Sequence, residues 1–430
     1  MNFTPAESRV LNSLDEQALV DDVRGLIRVP SITGSAAESD AQHQQAAALT
    51  ALGMEVDLWS IDVAATRLHP DFPGDETDRS EAFGVVAVTG RGLSDSVQPA
   101  LVLQGHVDVV PVGDPLKWHD NPFGAGISGD TVFGRGACDM KAGVAVNLAV
   151  ARAIHLSGVH LTRPLAVHTV VSEEDGGLGA FATLQRGHGG DAAVITEPTS
   201  GAIVTATAGA LTFELRVAGR AAHGSARLEG VSAFEAFLPI HHAIRDLETQ
   251  RNVGKDARFP DSRLPYPISI GRISAGDWAS SVPDLLIAEG RLGVRLGESM
   301  QDARRAFEEC VLLACARDAW LRDNPVTVTW PGGQFASGSI AEGHALIGEV
   351  ARSVTDVGMP TPLQTAAPYG SDLRLYAGIG GIPTLHYGPG DVRFAHAPRE
   401  QVSISETIAV ARAMALLAAR RCGAFMPRAG

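Results

Sequence analysis

Leu101-Val-Leu-Gln-Gly-His106-Val-Asp108-Val-Val-Pro111 is an apolar run that ends in two groups able to serve a metal ion. Residues i and i+2 of a strand point to the same side, so a strand here lets His106 ligate a metal while Asp108 holds the imidazole from behind. The same tripeptide is also what an ordinary strand end with a loop histidine and aspartate looks like. What surrounds it decides.

Apolar runs predict further strands at 84–89, 165–171 and 192–196, with helices expected over 141–157 and 177–185 between them. Strands alternating with helices predict an α/β layer whose mixed sheet is covered by helices on both faces. Ahead of it, Leu14, Leu19, Val23, Leu26 and Ile27 share one helical face over 14–29, stopped by Pro30. A second helix is expected at 39–52 and a strand at 55–60. The polar, proline-containing stretch 67–79 reads as a surface loop.

Near residue 204 the pattern changes. Leu211, Phe213, Leu215 and Val217 alternate with Thr212, Glu214 and Arg216, the mark of a strand with one wet face. Helices at 233–250 and 301–320 and strands at 268–274 and 285–294 complete a smaller α+β unit inserted in the first. A closing helix over 404–420 resumes the α/β layer. The expected division is 1–203 and 323–430 for the catalytic domain and 204–322 for the insertion.

With 430 residues, 45% hydrophobic and 20% charged, the chain has globular composition and length for two compact units. A formal net charge of −14 argues against a nucleic-acid partner, which requires a basic face. The start, Met1-Asn-Phe-Thr-Pro-Ala-Glu-Ser, lacks the basic and apolar regions of a signal peptide, and no run of about 20 apolar residues marks a membrane span. A cytoplasmic protein with no membrane partner is expected. Cys138, Cys310, Cys315 and Cys422 show no zinc-ribbon spacing and read as buried thiols.

Three further stretches carry chemistry. Gly134-Arg-Gly-Ala-Cys-Asp139-Met-Lys opens a helix, so Asp139 is either a helix-start acid or a carboxylate able to bridge two cations. Ser172-Glu173-Glu174-Asp175-Gly-Gly crowds three acids at a strand exit, where they repel one another unless cations or hydrogen bonds offset them; a solvated acidic loop is the plain alternative. Thr196-Glu197-Pro198 ends the next strand with another acid, and His396 sits on a glycine-containing loop near the C-terminus.

In order and spacing these motifs resemble the dinuclear zinc family of acetylornithine deacetylase, succinyl-diaminopimelate desuccinylase, aminoacylase and glutamate carboxypeptidase, from about residue 15 to 420. The resemblance implies a zinc-peptidase-like catalytic domain and an inserted domain serving as lid and dimer contact. It implies one metal on His106 and Glu197, a second on Glu174 and His396, Asp139 bridging, and Glu173 as general base with Asp108 behind His106. Zinc is the expected ion, though these donors also accept cobalt or manganese. Gly219-Arg-Ala-Ala-His223 matches the family loop whose histidine reaches the partner subunit's site and stabilises the oxyanion. An exposed loop histidine is the alternative.

Substrate contacts depart from the pattern. Many relatives carry Asn where this chain has Ser280, and their carboxylate-binding arginine falls on Gly293, flanked by Arg291 and Arg295. Gly370-Ser-Asp372-Leu-Arg374 resembles the desuccinylase's Ser-Asp-Gly-Arg, which makes Arg374 a further candidate, with an Asp–Arg helix-start pair as its structural reading. The expected activity is deacylation of a small N-acylated amino acid or related amine by a homodimer. A dipeptidase or carboxypeptidase uses the same machinery, and a catalytically silent metal-binding scaffold is the reading from another class.

Overall fold

The computed structural model describes residues 3–90, 98–260 and 262–427, so Met1 and Asn2 of the N-terminal stretch and residue 261 of the loop before Pro267 lie outside it. The chain divides into two compact units, one of Met1–Thr205, Ser339–Thr365 and Asp372–Gly430, the other of Ala206–Gly338 and Ala366–Ser371.

The first unit is a mixed α/β layer. Six strands of its larger sheet run in the order Glu55–Ser60, Phe83–Val88, Leu165–Val170, Leu101–His106, Ala193–Pro198, Thr384–Gly388, and the sheet continues from there through Ile203–Thr207. The last four of the six are mutually parallel, and the first two add antiparallel at one side. Side chains alternate between faces as a strand requires. Leu101 and Leu103 join the large core built with the helices Glu16–Arg28, Ala142–Ser157 and Ile404–Arg421, whereas Val102 packs with Phe181 of Leu178–Gln185 and with Leu375 and Tyr376 on the other side. Ala142–Ser157 is apolar almost all round because it is buried almost all round, and Gly158, in the left-handed region at φ 66°, ends it.

Local differences from the sequence expectation have simple causes. The first predicted helix begins at Glu16, where the Asp15 carboxylate accepts from the Ala18 amide, and a separate helix Pro5–Asn12 precedes it behind a Thr4–Glu7 capping box. The stretch expected as a surface loop over 67–79 ends in a buried residue. Arg79 lies between two buried carboxylates, Glu38 and Asp175, which need a cation.

One glycine sets the geometry that matters later. A Cβ on Gly143 would stand 2.1 Å from the Thr196 carbonyl oxygen, so the helix carrying residue 143 lies against the strand that carries Glu197 only because there is no side chain. Gly143→Ala is expected to destabilise the fold by about 1–3 kcal/mol through overpacking. Denaturant unfolding is the check, and an unchanged midpoint would contradict this close approach.

In the second unit, Ile268–Ala275, Leu285–Val294, Gly209–Ala218 and Thr327–Thr329 form an antiparallel sheet in that order, with Gln334–Phe335 also paired to Gly209–Ala218. Leu211, Phe213, Leu215 and Val217 turn inward to meet the helices Ala233–Arg251 and Met300–Cys315. That helix was expected to run to 320; it stops at Cys315, and the Asp318 carboxylate then caps the amides of Trp320 and Leu321. The unit runs on to Gly338 rather than to 322, because the short strands at 327–329 and 334–335 extend its sheet.

Candidate metal centre

The four parallel strands all deliver chemistry at their carboxyl ends, where open α/β sheets bind ligands. His106 is the last residue of its strand, and Glu197 is the fifth of Ala193–Pro198. Glu173 and Glu174 stand in the turn after Leu165–Val170, where Ser172 (φ 66°) and Gly177 (φ 86°) reverse the chain, and His396 lies on the loop following Thr384–Gly388. Asp139 arrives from the irregular turn Ala137–Lys141 ahead of the buried helix. Its dihedrals are not helical (φ −117°, ψ 93°), and the regular helix begins only at Ala142, so its carboxylate faces imidazoles instead of capping a helix.

These side chains meet in one cluster. His106 Nε2 is 3.3 Å from Asp139 Oδ1 and 3.6 Å from Glu197 Oε1. On the other side, His396 Nε2 is 3.4 Å from Asp139 Oδ2 and 3.1 Å from Glu174 Oε2. Asp139 therefore turns one oxygen to each imidazole. Ligand atoms of His106, Glu173 and Glu197, and of His106, Asp139 and Glu174, lie close enough together to share an ion. Among the described residues the Glu173 carboxylate makes no hydrogen bond or ion pair, although the residue is buried.

Electrostatics show what the cluster is short of. Burial, then the carboxylates of Glu197, Asp372 and Glu174, push the Glu173 carboxyl well above its usual range, against the pull of His106. Burial with Asp139 and Glu174 does the same to Glu197. Burial would lower both imidazoles, yet Asp108 and Asp139 raise His106 well above 6.5, and Asp139 and Glu174 raise His396 to about 11. Four acids, Asp139, Glu173, Glu174 and Glu197, crowd two imidazoles. Such a set without thiolates suits divalent ions that take carboxylate and imidazole.

A second layer fixes these groups. His106 Nδ1 donates to the main-chain carbonyl of Asp108 at 2.9 Å, which leaves Nε2 to face Asp139 and Glu197; the Asp108 carboxylate is farther, at 3.5 Å. That carboxylate also accepts from the amides of Glu173 and Glu174 at 3.3 and 3.2 Å and from Thr33 Oγ1 at 3.0 Å. The pairing read from a strand's period thus serves the imidazole and the acidic turn together. Asp175, third of the acids, turns away to accept from both Arg79 and the Ser172 hydroxyl. Arg374, buried, donates to the Gly176 carbonyl at 2.7 Å behind the same turn, and Gln104 donates to Asp372 at 3.0 Å. Glu400 and Arg135, which no local pattern marked, lie buried beneath Asp139 and His396.

The remaining candidates belong to the second unit. His223 is exposed, and its Nδ1 accepts from the Ser225 amide at 3.2 Å, so Nε2 carries the proton. Ser280 is exposed beside it, its carbonyl accepting from the Gly224 amide at 2.6 Å. Arg295 donates to the Arg251 and Gln250 carbonyls at a helix end. Arg291 lies on the strand Leu285–Val294 opposite Thr212 and Ser269, and burial lowers its guanidinium. Among the described residues nothing is bonded to that guanidinium.

Known proteins resemble this chain along most of its length. A family model for peptidase family M20/M25/M40 matches residues 102–420. N-formyl-4-amino-5-aminomethyl-2-methylpyrimidine deformylase of Halalkalibacterium halodurans is 25% identical over 92% of this chain and 92% of its own length. Acetylornithine deacetylase of Proteus mirabilis is 27% identical over 89% and 91%. The crystal structure of the Bacillus subtilis YXEP protein, a dinuclear metal-binding peptidase of the M20 family, superposes with a TM-score of 0.63 at 17% identity, covering 94% of this chain and 97% of that one.

Proposed function

The chain belongs to peptidase family M20/M25/M40, and from that membership we propose that it removes a small acyl group, formyl or acetyl, from the amine of a small molecule. Metal-dependent hydrolysis of an amide is the chemistry of the fold and the cluster. Two relatives matched along nine-tenths of their length, a deformylase and a deacetylase, support the small acyl group.

The observation that carries a two-metal reading is the Asp139 carboxylate, one oxygen 3.3 Å from His106 and the other 3.4 Å from His396. In this reading His106 and Glu197 would hold one ion and Glu174 and His396 the other, with Asp139 shared by both; zinc would fit, as would cobalt and manganese. When bound, the pair of ions supplies a more acidic water and a polarised amide carbonyl. Glu173 takes the proton as the carbon–oxygen bond forms, holds it, and gives it to the nitrogen as the carbon–nitrogen bond breaks. Asp108 keeps that turn in register through the two amides it accepts. His223, its Nε2–H free to donate, stabilises the oxyanion.

Of the three arginines, Arg374 and Arg295 are already committed to main-chain carbonyls, which favours Arg291, with Ser280 as a polar neighbour of His223, for a substrate carboxylate. Among the described residues the strand Ile268–Ala275 ends its sheet with one side unpaired and Arg272–Ala275 exposed, which supports a homodimer through the inserted unit. Free cysteines support a reducing, cytoplasmic setting.

The test is a metal titration joined to a substrate panel. Protein loaded with zinc is expected to hold two equivalents and to release free amine from N-formyl or N-acetyl compounds ahead of N-succinyl, N-carbamoyl and dipeptide ones. Arg291→Met is expected to raise KM for substrates with an α-carboxylate and leave their decarboxylated partners unchanged. One equivalent with full activity would remove the bridging role of Asp139, and full loading with no amide cleaved would remove the enzyme reading.

A further inference from the structure

His106 and Glu197 are held by the sheet itself, but Asp139 and His396 are not. Asp139 sits in a turn without helical dihedrals, and His396 has a left-handed backbone (φ 60°) and a side chain 53% exposed. Something other than regular structure must fix these two, and one buried ion pair touches both.

Glu400 splits its carboxylate. Oε2 accepts from Arg135 Nη1 at 2.5 Å, while Oε1 accepts from the amides of Asp139 at 3.2 Å and Cys138 at 3.3 Å. Arg135 Nη2 reaches on to the carbonyls of Pro111 at 3.2 Å and of His396 at 3.4 Å. Main-chain bonds lock the two ends, Gly134 N to the Glu400 carbonyl and Arg135 N to the Pro122 carbonyl. Both side chains are almost wholly buried, and the Trp118 ring lies 5.2 Å from the guanidinium carbon and covers it. Each residue reaches the centre through main-chain atoms, Glu400 through the Asp139 amide and Arg135 through the His396 carbonyl.

We infer that Arg135 and Glu400 are a positioning pair that holds Asp139 and His396 at the spacing the second metal needs. The inference rests on the two-metal reading above. It divides the centre into a strand-borne half, His106 with Glu197, formed whenever the sheet is formed, and a half made by Glu174, His396 and the shared Asp139 that depends on the pair. Outer partners of metal ligands are typically worth about 10–100-fold in affinity, so loss of the pair weakens the second ion by that factor and the first, which keeps His106 and Glu197 and only shares Asp139, by less.

A role in stability alone must be separated from this. Removing one partner leaves a buried charge, so single neutral variants mix the two effects; replacing both removes the charges together, which is often close to neutral for folding. Arg135→Met/Glu400→Gln is therefore the main variant, since the glutamine still offers an oxygen to the Asp139 amide while the tie to the 396 loop is gone. Metal-free protein is titrated with Zn²⁺ against a chromophoric chelator, and its thermal midpoint is measured without metal. The expected result is a midpoint close to wild type, one tight ion, and a second weakened by about 10–100-fold. Two ions at wild-type affinity in the folded double variant overturn the inference. Should that variant not fold, Arg135→Lys decides: a single nitrogen replaces Nη1, which meets Glu400, and Nη2, which meets the two carbonyls, and cannot stand at both places, so the second ion weakens by about tenfold, and an unchanged second ion overturns the inference. Wild-type protein binding fewer than two ions would sink the two-metal reading itself, a different failure.

Discussion

Glu173→Gln is expected to lower turnover by about 10²–10⁴-fold, the usual size of a general-base contribution, with two equivalents of metal still bound. Glutamine keeps the shape of the side chain but cannot accept a proton. The Glu173 carboxylate is buried at the strand exits and unbonded among the described residues, whereas Glu174 is already directed at His396. Distance alone does not separate the two acids, because Glu173 also lies within ion-sharing range of His106 and Glu197. The pair of variants does. With the roles as assigned, Glu173→Gln stays loaded and nearly inactive, and Glu174→Gln gives up an ion. An empty Glu173→Gln beside a loaded, inactive Glu174→Gln would exchange the two roles. KM should move little in Glu173→Gln, since ground-state contacts are retained.

The parts of this centre that were legible in the sequence are those carried by local pattern. His106, Glu197 and the acidic turn follow short apolar runs of strand length, and the chemistry-bearing ends of parallel strands fall at one edge by topology. Asp108 was legible as the residue behind His106, 3.5 Å from its Nδ1, but its second task was not: past the last strand residue the period of two no longer applies, and its carboxylate also serves the amides of the acidic turn. Arg135 and Glu400 were not legible at all. They are 265 residues apart, and nothing near either one says that it will be buried or with whom. Arg79 was hidden in the same way, inside a polar stretch that reads as solvated, because the carboxylates that draw it inward come from Glu38 and Asp175. The end of the inserted unit was missed for a different reason. Its last strands span only three and two residues and lie around Trp330-Pro-Gly-Gly, where composition argues for a loop.

His223→Ala is expected to cost about 10²–10³-fold in turnover, the usual loss for one oxyanion donor. Metal ions polarise an amide carbonyl but leave the tetrahedral oxyanion partly open to water, so a donor aimed at that oxygen acts where the charge develops. His223 has the required proton placement: with Nδ1 accepting from the Ser225 amide, and the Ser225 hydroxyl 2.7 Å away, the hydrogen is on Nε2 and free to donate. Ser225→Ala removes only the hydroxyl, so the tautomer survives and the loss should be small. In a homodimer where each His223 serves the other chain's centre, two inactive variants complement each other. Mixed His223→Ala and Glu173→Gln subunits contain one centre with an intact base and an intact donor, so activity should return towards half of the wild-type value per mixed dimer. Subunit exchange is verified independently, by mass-labelled chains. Exchange without any recovery would place His223 in the service of its own chain, or of none; the size of the single-variant loss distinguishes these, because an idle loop histidine costs nothing when it is removed.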